Sequence, residues 1–278
     1  MSTSLWRPVG GLDRGKLNES RHQAHYAAQW LARGARAYVP PQPDDSHTNL
    51  GWDEGQGGFS THALSDGARL HLRISDLTLV ILNTAGNSPW LSLDGHTNAD
   101  VRAWLGRELS AKGFDPHKLD EPSPYEMPPH AIAKGTKYSA GNLTGALRDL
   151  SIWYANANSV LNNVRQQLSA RGLKPPAVRC WPHHFDLDSL ISLGGDKTTG
   201  MGFSPGDEYY NEPYFYVTIY PEPDAANLPA LLAVGHWHTV EFIAAIAPAS
   251  KIVAVKDQGK ATEAFVIASV DAAIKLLG

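Results

Sequence analysis

The sequence predicts an α+β protein in which antiparallel sheets are flanked by helices. Three observations favour this class: short strands lie in runs between helical stretches, single strands do not alternate strictly with helices, and the order helix, strands, helix occurs twice. We therefore expect a single compact module over residues 1–278. It could contain two α-β-α halves, 18–113 and 139–277, related by a pseudo-twofold axis and joined by a Pro-rich linker at 114–138.

The first half carries three local signals. Apolar residues at helical spacing predict a helix over 20–38, which a pair of prolines ends. Strict alternation over 70–74 and an apolar run over 77–82 predict two strands. Thr97 predicts the N-cap of a further helix, because Asp100 and an apolar stripe follow it.

Prolines and apolar spacing define the linker and the second half. The linker carries several prolines, and we expect it to lie against the surface because it also carries the anchors Phe114, Tyr125, Met127 and Tyr138. Apolar steps of four and three predict a long helix over 143–168. A second β region follows over 178–255. The last helix, 262–277, is apolar almost all round, so we expect it to be buried.

Composition and charge exclude several classes of protein. Lys plus Arg is 24 and Asp plus Glu is 28, so the net charge of −4 predicts no nucleic-acid partner. No apolar run approaches the ~18 residues of a membrane span, and the opening residues lack the pattern of a signal peptide. Cys180 is the single cysteine and can form no internal disulfide. We therefore expect a cytoplasmic protein without a membrane partner.

Three segments of the second β region concentrate residues suited to chemistry. They are 180–186 (Cys-Trp-Pro-His-His-Phe-Asp), 202–220, and 235–241, which begins Gly-His-Trp-His. Alternate side chains of a strand share a face. In the second segment this alternation places Tyr214 and Tyr216 on a face of hydroxyls and rings, opposite an aliphatic face.

The same alternation predicts a metal site. His236 and His238 would share one face of a strand, and a strand presenting His184 and Asp186 would bring the ligands to four. Such a set suits zinc, iron or manganese. The His-x-His pattern with a later glutamate on the same face is not met, because Glu241 is expected on the opposite face.

These residues predict a pocket for a small molecule. We expect His183, Tyr214 and Tyr216 to contact the ligand, and Glu208 at the rim to act as a general base. Glu208 and its neighbour Asp207 could instead be solvated turn residues. The histidines leave three interpretations open: a metal site, a metal-free ligand pocket or acid–base site, and a structural polar network.

Some of these segments resemble a known family. Trp-Pro-His-His-Phe-Asp (181–186), Gly-Phe-Ser-Pro-Gly-Asp-Glu (202–208) and Glu-Pro-Tyr-Phe-Tyr-Val (212–217) resemble, in this order, an uncharacterised bacterial domain-of-unknown-function family of about this length. The resemblance extends in general order over 20–277 and is specific over 142–220. It implies a bacterial origin and one continuous module, and it transfers no activity to this chain.

Two functions follow from the residues. The first is an enzyme that handles a small molecule, such as a metal-assisted hydrolase in which a bound cation activates water. The second is a non-catalytic ligand-binding or protein-interaction module, in which the aromatic strand forms a recognition surface or a homodimer surface and the histidines are structural.

Overall fold

The computed structural model describes residues 6–278. Over these residues the helices are α1 (Arg14–Tyr38), α2 (Asn98–Ala111), α3 (Thr144–Ala170), α4 (Ala249–Ile252) and α5 (Gln258–Leu277). The first strands are β1 (Gly51–Asp53), β2 (Gly58–Ser60), β3 (Arg69–Arg73), β4 (Thr78–Leu82) and β5 (Trp90–Ser92). The later strands are β6 (Arg179–Trp181), β7 (Asp186–Gly194), β8 (Lys197–Ser204), β9 (Tyr214–Tyr220), β10 (His236–His238) and β11 (Ala244–Pro248).

These elements confirm the α+β class. The strands form two sheets with antiparallel pairing, and helices stand before and after each run of strands. Among the described residues, no helix has both the length and the apolar character that crossing a membrane requires.

The chain divides into two compact units at places that differ from the predicted halves. Unit 1 comprises the described residues up to Arg14 together with Ile152–Arg179 and Asp186–Gly278, whereas unit 2 comprises Gly15–Ser151 and Cys180–Phe185. The division falls inside α3 and not in the predicted linker. A boundary placed at a Pro-rich stretch could not predict this, because the chain re-enters unit 2 for the six residues Cys180–Phe185, which begin inside β6.

Unit 2 contains a five-stranded meander with the order β1-β2-β3-β4-β5. The alternation that predicted β3 places Leu70 and Leu72 on one face, and both are fully buried. A Cβ atom added to Gly34 of α1 would overlap the side chain of Leu70, so α1 lies close against this face. The helix begins at Arg14, six residues before the predicted start, and ends at Tyr38 as predicted.

The predicted linker is an ordered part of unit 2. Residues 114–138 contain two short 3-10 helices, and Tyr138 is buried with its hydroxyl donating to Asn98 at 2.8 Å. The Tyr125 hydroxyl donates to Gln29 at 2.7 Å. The prolines prevent a long helix or strand here, but the aromatic anchors attach the segment to its own unit, so it does not separate two domains.

Unit 1 is built on a sheet with the order β10-β11-β9-β8-β7-β6, of which β7–β11 lie wholly in this unit. One face of β8 and β9 is apolar and buried: the rings of Phe203 and Phe215 lie 5.2 Å apart, and Phe203 stacks on Trp153 of α3 at 6.2 Å. The helix α5 packs against β8 and β9. This packing leaves the opposite face of the strands for polar side chains.

The last helix corrects one prediction. Only one side of α5 is buried, including Phe265, Val266 and Val270, whereas the side bearing Lys260 and Lys275 is exposed. Its exposed alanines are apolar without being buried, which is why composition alone overestimated burial.

The order of the sheet in unit 1, with β11 between β10 and β9, differs from the meander of unit 2. The pseudo-twofold relation stays a prediction.

Candidate functional site

The candidate site lies on the polar face of the sheet of unit 1. In β9 the side chains of Phe215, Val217 and Ile219 are buried on the helix-covered face. Tyr214 and Tyr216 belong to the opposite face, as the alternation predicted. Tyr214 packs in an apolar cluster with Ala244 and Ile246 of β11, and Tyr210, Tyr216 and Phe242 lie against that cluster.

Glycines in β8 make room for the tyrosine and threonine side chains of β9. Gly202 pairs with Tyr216, and Gly200 pairs with Thr218. A Cβ atom at Gly202 would overlap the ring of Tyr216 and would lie 2.6 Å from the carbonyl oxygen of Leu187. A Cβ atom at Gly200 would lie 2.6 Å from the hydroxyl oxygen of Thr218. Tyr216 therefore lies across β8 towards β7.

Two carboxyl groups of β7 meet Tyr216 on this face. Asp188 pairs directly with Gly202, and Asp186 stands two residues earlier, so both belong to the face of Tyr216. The hydroxyl of Tyr216 donates a hydrogen bond to Oδ2 of Asp186. We call Asp186 and Asp188 the carboxyl pair.

The carboxyl pair is electrostatically unusual. Burial, with the neighbouring charge of Asp186 as a second cause, raises the pKa of Asp188 to about 7. The Oδ1 atom of Asp188 is buried and has no hydrogen-bond partner among the described residues. Burial and the two carboxylates raise the pKa of Tyr216 well above its usual value, so its hydroxyl remains a donor.

A second group of side chains lies around β10, and we call it the Tyr-His cluster: Tyr209, Tyr210, His236, His238 and Phe242. The hydroxyl oxygen of Tyr210 lies 3.0 Å from Nε2 of His236 and 3.0 Å from Nδ1 of His238. The ring of His238 stacks on Phe242 at 4.2 Å and meets the edge of Tyr209 at 5.5 Å. The structure thus confirms that His236 and His238 share one side of their strand.

The turn before β9 supplies Asp207 to this face, and not Glu208. Oδ1 of Asp207 accepts from the backbone N–H groups of Tyr209 and Tyr210, each at 2.9 Å, and Oδ2 accepts from the hydroxyl of Tyr214. Glu208 is exposed to solvent. The role of Glu208 as a general base stays a prediction, whereas the turn directs the preceding carboxylate, Asp207, towards the sheet.

Glu241 also lies elsewhere than predicted. The strand β10 ends at His238, and Glu241 follows in a turn with a positive φ of 69°. Its Oε2 atom accepts a hydrogen bond from Tyr209 at 2.7 Å, so it adjoins the Tyr-His cluster. The alternation of a strand does not apply beyond the end of that strand, which is why the predicted face was wrong.

The predicted ligand His183 and metal ligand His184 lie in unit 2, in a turn after β6. Both are exposed, their rings lie 4.2 Å apart, and His183 lies 5.6 Å from the ring of Tyr125. The chain turns at Phe185, which has a positive φ of 60°, and β7 begins only at Asp186. His184 and Asp186 are therefore not alternate residues of one strand.

The four predicted metal ligands are not gathered around one point. Over the part of the chain that the structure describes, no group of three or more His, Cys, Asp or Glu side chains is spaced to hold a metal ion. Asp186 accepts a hydrogen bond from the hydroxyl of Tyr216, whereas His236 and His238 are both within hydrogen-bond distance of the hydroxyl of Tyr210.

Three residues of this face were not predicted from the sequence, namely Asp188, Gly202 and Tyr210. The spacing Asp186-Leu-Asp188 was a signal for two carboxyl groups on one face of a strand. Gly202 opposite a tyrosine could be assigned only once the register of β8 and β9 was known. Tyr210 lies outside every strand, so no periodic pattern predicted its position.

No protein-family model, curated protein or solved structure matches this chain. The resemblance to an uncharacterised bacterial family therefore stays a prediction. Functional inference depends on the geometry of unit 1 itself.

Proposed function

We propose that the carboxyl pair of unit 1 binds a small polar molecule and exchanges a proton with it. The observation that supports this proposal is the buried Oδ1 atom of Asp188, which has no hydrogen-bond partner among the described residues. An unsatisfied buried polar group costs about 1–3 kcal/mol. A ligand that hydrogen-bonds to Asp188 would offset that cost, so the arrangement favours binding.

The two carboxyl groups are suited to different roles. Asp188, whose pKa is raised to about 7 mainly by burial, holds a proton over part of the neutral range and can release it there. Asp186 is held in place by the hydroxyl of Tyr216. Pairs of acids in different environments commonly divide the work of acid–base catalysis in this way. Asp188 would give its proton to an oxygen or nitrogen atom of the ligand and later recover it.

The surrounding groups indicate the chemistry of the ligand. Asp188 shares this face with Asp186, Tyr216 and Thr218, so two carboxyl groups contribute negative charge here. A phosphate or carboxylate ligand would meet like charge here. A neutral hydroxylated molecule or a primary amine fits better, because both offer donors to the carboxyl oxygens.

The test compares the protein with its Asp188→Asn variant. Carbon-13 NMR of the side-chain carboxyls measures the pKa of Asp188 directly, and thermal melting in the presence of monosaccharides and primary alkylamines measures binding. We expect some of these probes to raise the Tm of the protein and not that of the variant. Asp196→Asn is the matched control, because Asp196 is exposed in a turn.

The outcomes separate the two functions that the residues suggested. A probe that binds and is converted, with conversion lost in Asp188→Asn, supports an acid–base enzyme. A probe that binds through Asp188 without conversion supports the non-catalytic ligand-binding module. A pKa of Asp188 near the usual ~3.9 would contradict the proposal. So would equal probe binding by the protein and Asp188→Asn.

We also infer a cytoplasmic setting in a bacterium. The lone cysteine, Cys180, is buried, which suits a reducing compartment. The bacterial origin comes from the resemblance of three segments alone. A metal-assisted reaction and a homodimer stay predictions, which metal analysis and the solution mass would test.

A further inference from the structure

We infer that Tyr210, His236 and His238 form a binding site for a divalent transition-metal ion. This ligand set differs from the predicted one, since it retains the two histidines and replaces His184 and Asp186 by a phenol oxygen. All three residues belong to unit 1, and the inference does not depend on the carboxyl pair.

The spacing of the donor atoms carries this inference. Two imidazole nitrogens, Nε2 of His236 and Nδ1 of His238, converge on the hydroxyl oxygen of Tyr210 at 3.0 Å each. Donor atoms that bind one ion at about 2.0–2.1 Å are about 2.9 Å apart at a right angle and about 3.4 Å apart at a tetrahedral angle. Both distances from the hydroxyl oxygen fall within this range, so each nitrogen could share an ion with it after small movements.

His238 is already held in the tautomer that binds metal through Nδ1. Its Nε2 atom lies 2.7 Å from the carbonyl oxygen of Val240, which can only accept a hydrogen bond. Nε2 therefore carries the hydrogen, and the lone pair of Nδ1 points at Tyr210. Ligating histidines commonly donate their other ring N–H to a backbone carbonyl, which fixes the ring. Stacking on Phe242 fixes the same ring further.

Binding of an ion changes the protonation of Tyr210 and the tautomer of His236. Without an ion, the Tyr210 hydroxyl donates to Nδ1 of His238, and the Nε2 hydrogen of His236 points at the phenol oxygen. When an ion binds, the phenol becomes a phenolate and releases one proton to solvent. The hydrogen of His236 moves from Nε2 to Nδ1 by exchange with water, because this side chain is exposed. One proton therefore leaves for each ion bound.

The donor set selects the kind of ion. Two imidazoles and a phenolate suit Cu²⁺ and Zn²⁺ better than Mg²⁺ or Ca²⁺, which prefer oxygen ligands alone. Cu²⁺ binds most tightly among the first-row divalent ions at such a site. Water can complete the coordination, since His236 is exposed.

Titration with Cu²⁺ tests the site, using untagged full-length protein. Calorimetry should find one ion bound and visible spectroscopy should find a phenolate-to-copper charge-transfer band. We expect His238→Ala to weaken Cu²⁺ binding by more than about 100-fold. Loss of a residue that only supports a metal ligand typically weakens binding by about 10–100-fold, so a larger effect indicates direct coordination. Tyr210→Phe should abolish the band. Tyr209→Phe is the matched control and should retain it, because the Tyr209 hydroxyl is bonded to Glu241 instead.

Three results would overturn the inference. The first is the absence of Cu²⁺ binding by the folded protein. The second is a bound ion without the charge-transfer band, or a band that Tyr210→Phe retains. The third is Cu²⁺ binding that is unchanged in His238→Ala but lost in a His183→Ala/His184→Ala double variant. That result would place the ion at the exposed pair His183 and His184, whose rings lie 4.2 Å apart. The melting temperature of each variant without metal checks that it folds.

Discussion

At the scale of single residues, Gly202 decides whether the polar face can form. A Cβ atom there would overlap the ring of Tyr216 and approach the carbonyl oxygen of Leu187 to 2.6 Å. Because the backbone atom cannot move away cheaply, we expect Gly202→Ala to lower the free energy of unfolding by about 1–3 kcal/mol. Urea denaturation measures this change.

A glycine in open surroundings provides the comparison. Gly145 stands in the first turn of α3, and a Cβ atom there would meet nothing within 4 Å. Gly145→Ala should be neutral or stabilising by up to about 1 kcal/mol, because alanine loses less backbone entropy in a helix. If Gly202→Ala proves as stable as Gly145→Ala, the packing of Tyr216 over β8 is wrong.

Asp207 and Glu208 differ in a local preference that bears on which of them faces the sheet. Both are acidic and adjacent, and Glu208 was the residue predicted to act as a general base. In the turn, Asp207 accepts hydrogen bonds from two backbone N–H groups at 2.9 Å each. These bonds orient its carboxylate towards the hydroxyl of Tyr214. A short side chain that bonds to the following backbone is a local preference of aspartate, so this signal was available.

At the scale of elements, the start of α2 is the most exactly predicted feature and offers a direct test. Thr97 accepts from the backbone N–H of Asp100 at 3.2 Å, and Asp100 accepts from the backbone N–H of Thr97 at 2.8 Å. Thr97→Ala removes one half of this capping box. We expect the free energy of unfolding to fall by about 0.5–2 kcal/mol.

Thr97→Ser provides the matched control for the helix cap. Serine keeps the hydroxyl that accepts from Asp100, so the control should stay close to the unsubstituted protein in urea denaturation. Equal stability of Thr97→Ala and Thr97→Ser would show that the cap contributes nothing.

Short elements were the least predictable. The strand β10 has three residues, and the turn over 182–185 separates His184 from β7. The alternation of side chains between the two faces holds only within a strand. A residue such as Phe185, with a positive φ of 60°, changes the direction of the chain and ends that alternation. The long helix α3, by contrast, was predicted to within two residues at each end.

At the scale of the whole molecule, two buried histidines predict acid sensitivity in unit 2. Burial lowers the pKa of His71 and that of His25 to about 4. Both folded values lie below the ~6.5 of an unfolded chain, so between about pH 6.5 and pH 4 the unfolded state binds more protons. Stability contributed by the neutral rings is therefore complete above pH 6.5 and is lost as the pH falls.

Urea denaturation between pH 7.5 and pH 4.5 checks this expectation. The free energy of unfolding should fall by up to about 1.4 kcal/mol per pH unit for each histidine inside that window. His71→Gln should reduce the slope, whereas His117→Gln should not, because His117 is exposed. His25→Gln is a second variant, should His71→Gln fail to fold. A slope that neither buried variant changes would contradict the assignment.

The sequence by itself determined the class of fold, the long helices, the alternation of β9 and the shared side of His236 and His238. These features depend on periodicity and capping, which are local and can be read from neighbouring residues. Tertiary structure alone decided which residues of the site are in contact. It pairs Asp188 with Gly202 and places Tyr210 within hydrogen-bond distance of both imidazoles. These contacts depend on strand register and on the course of turns, which are fixed by packing between residues far apart in the sequence.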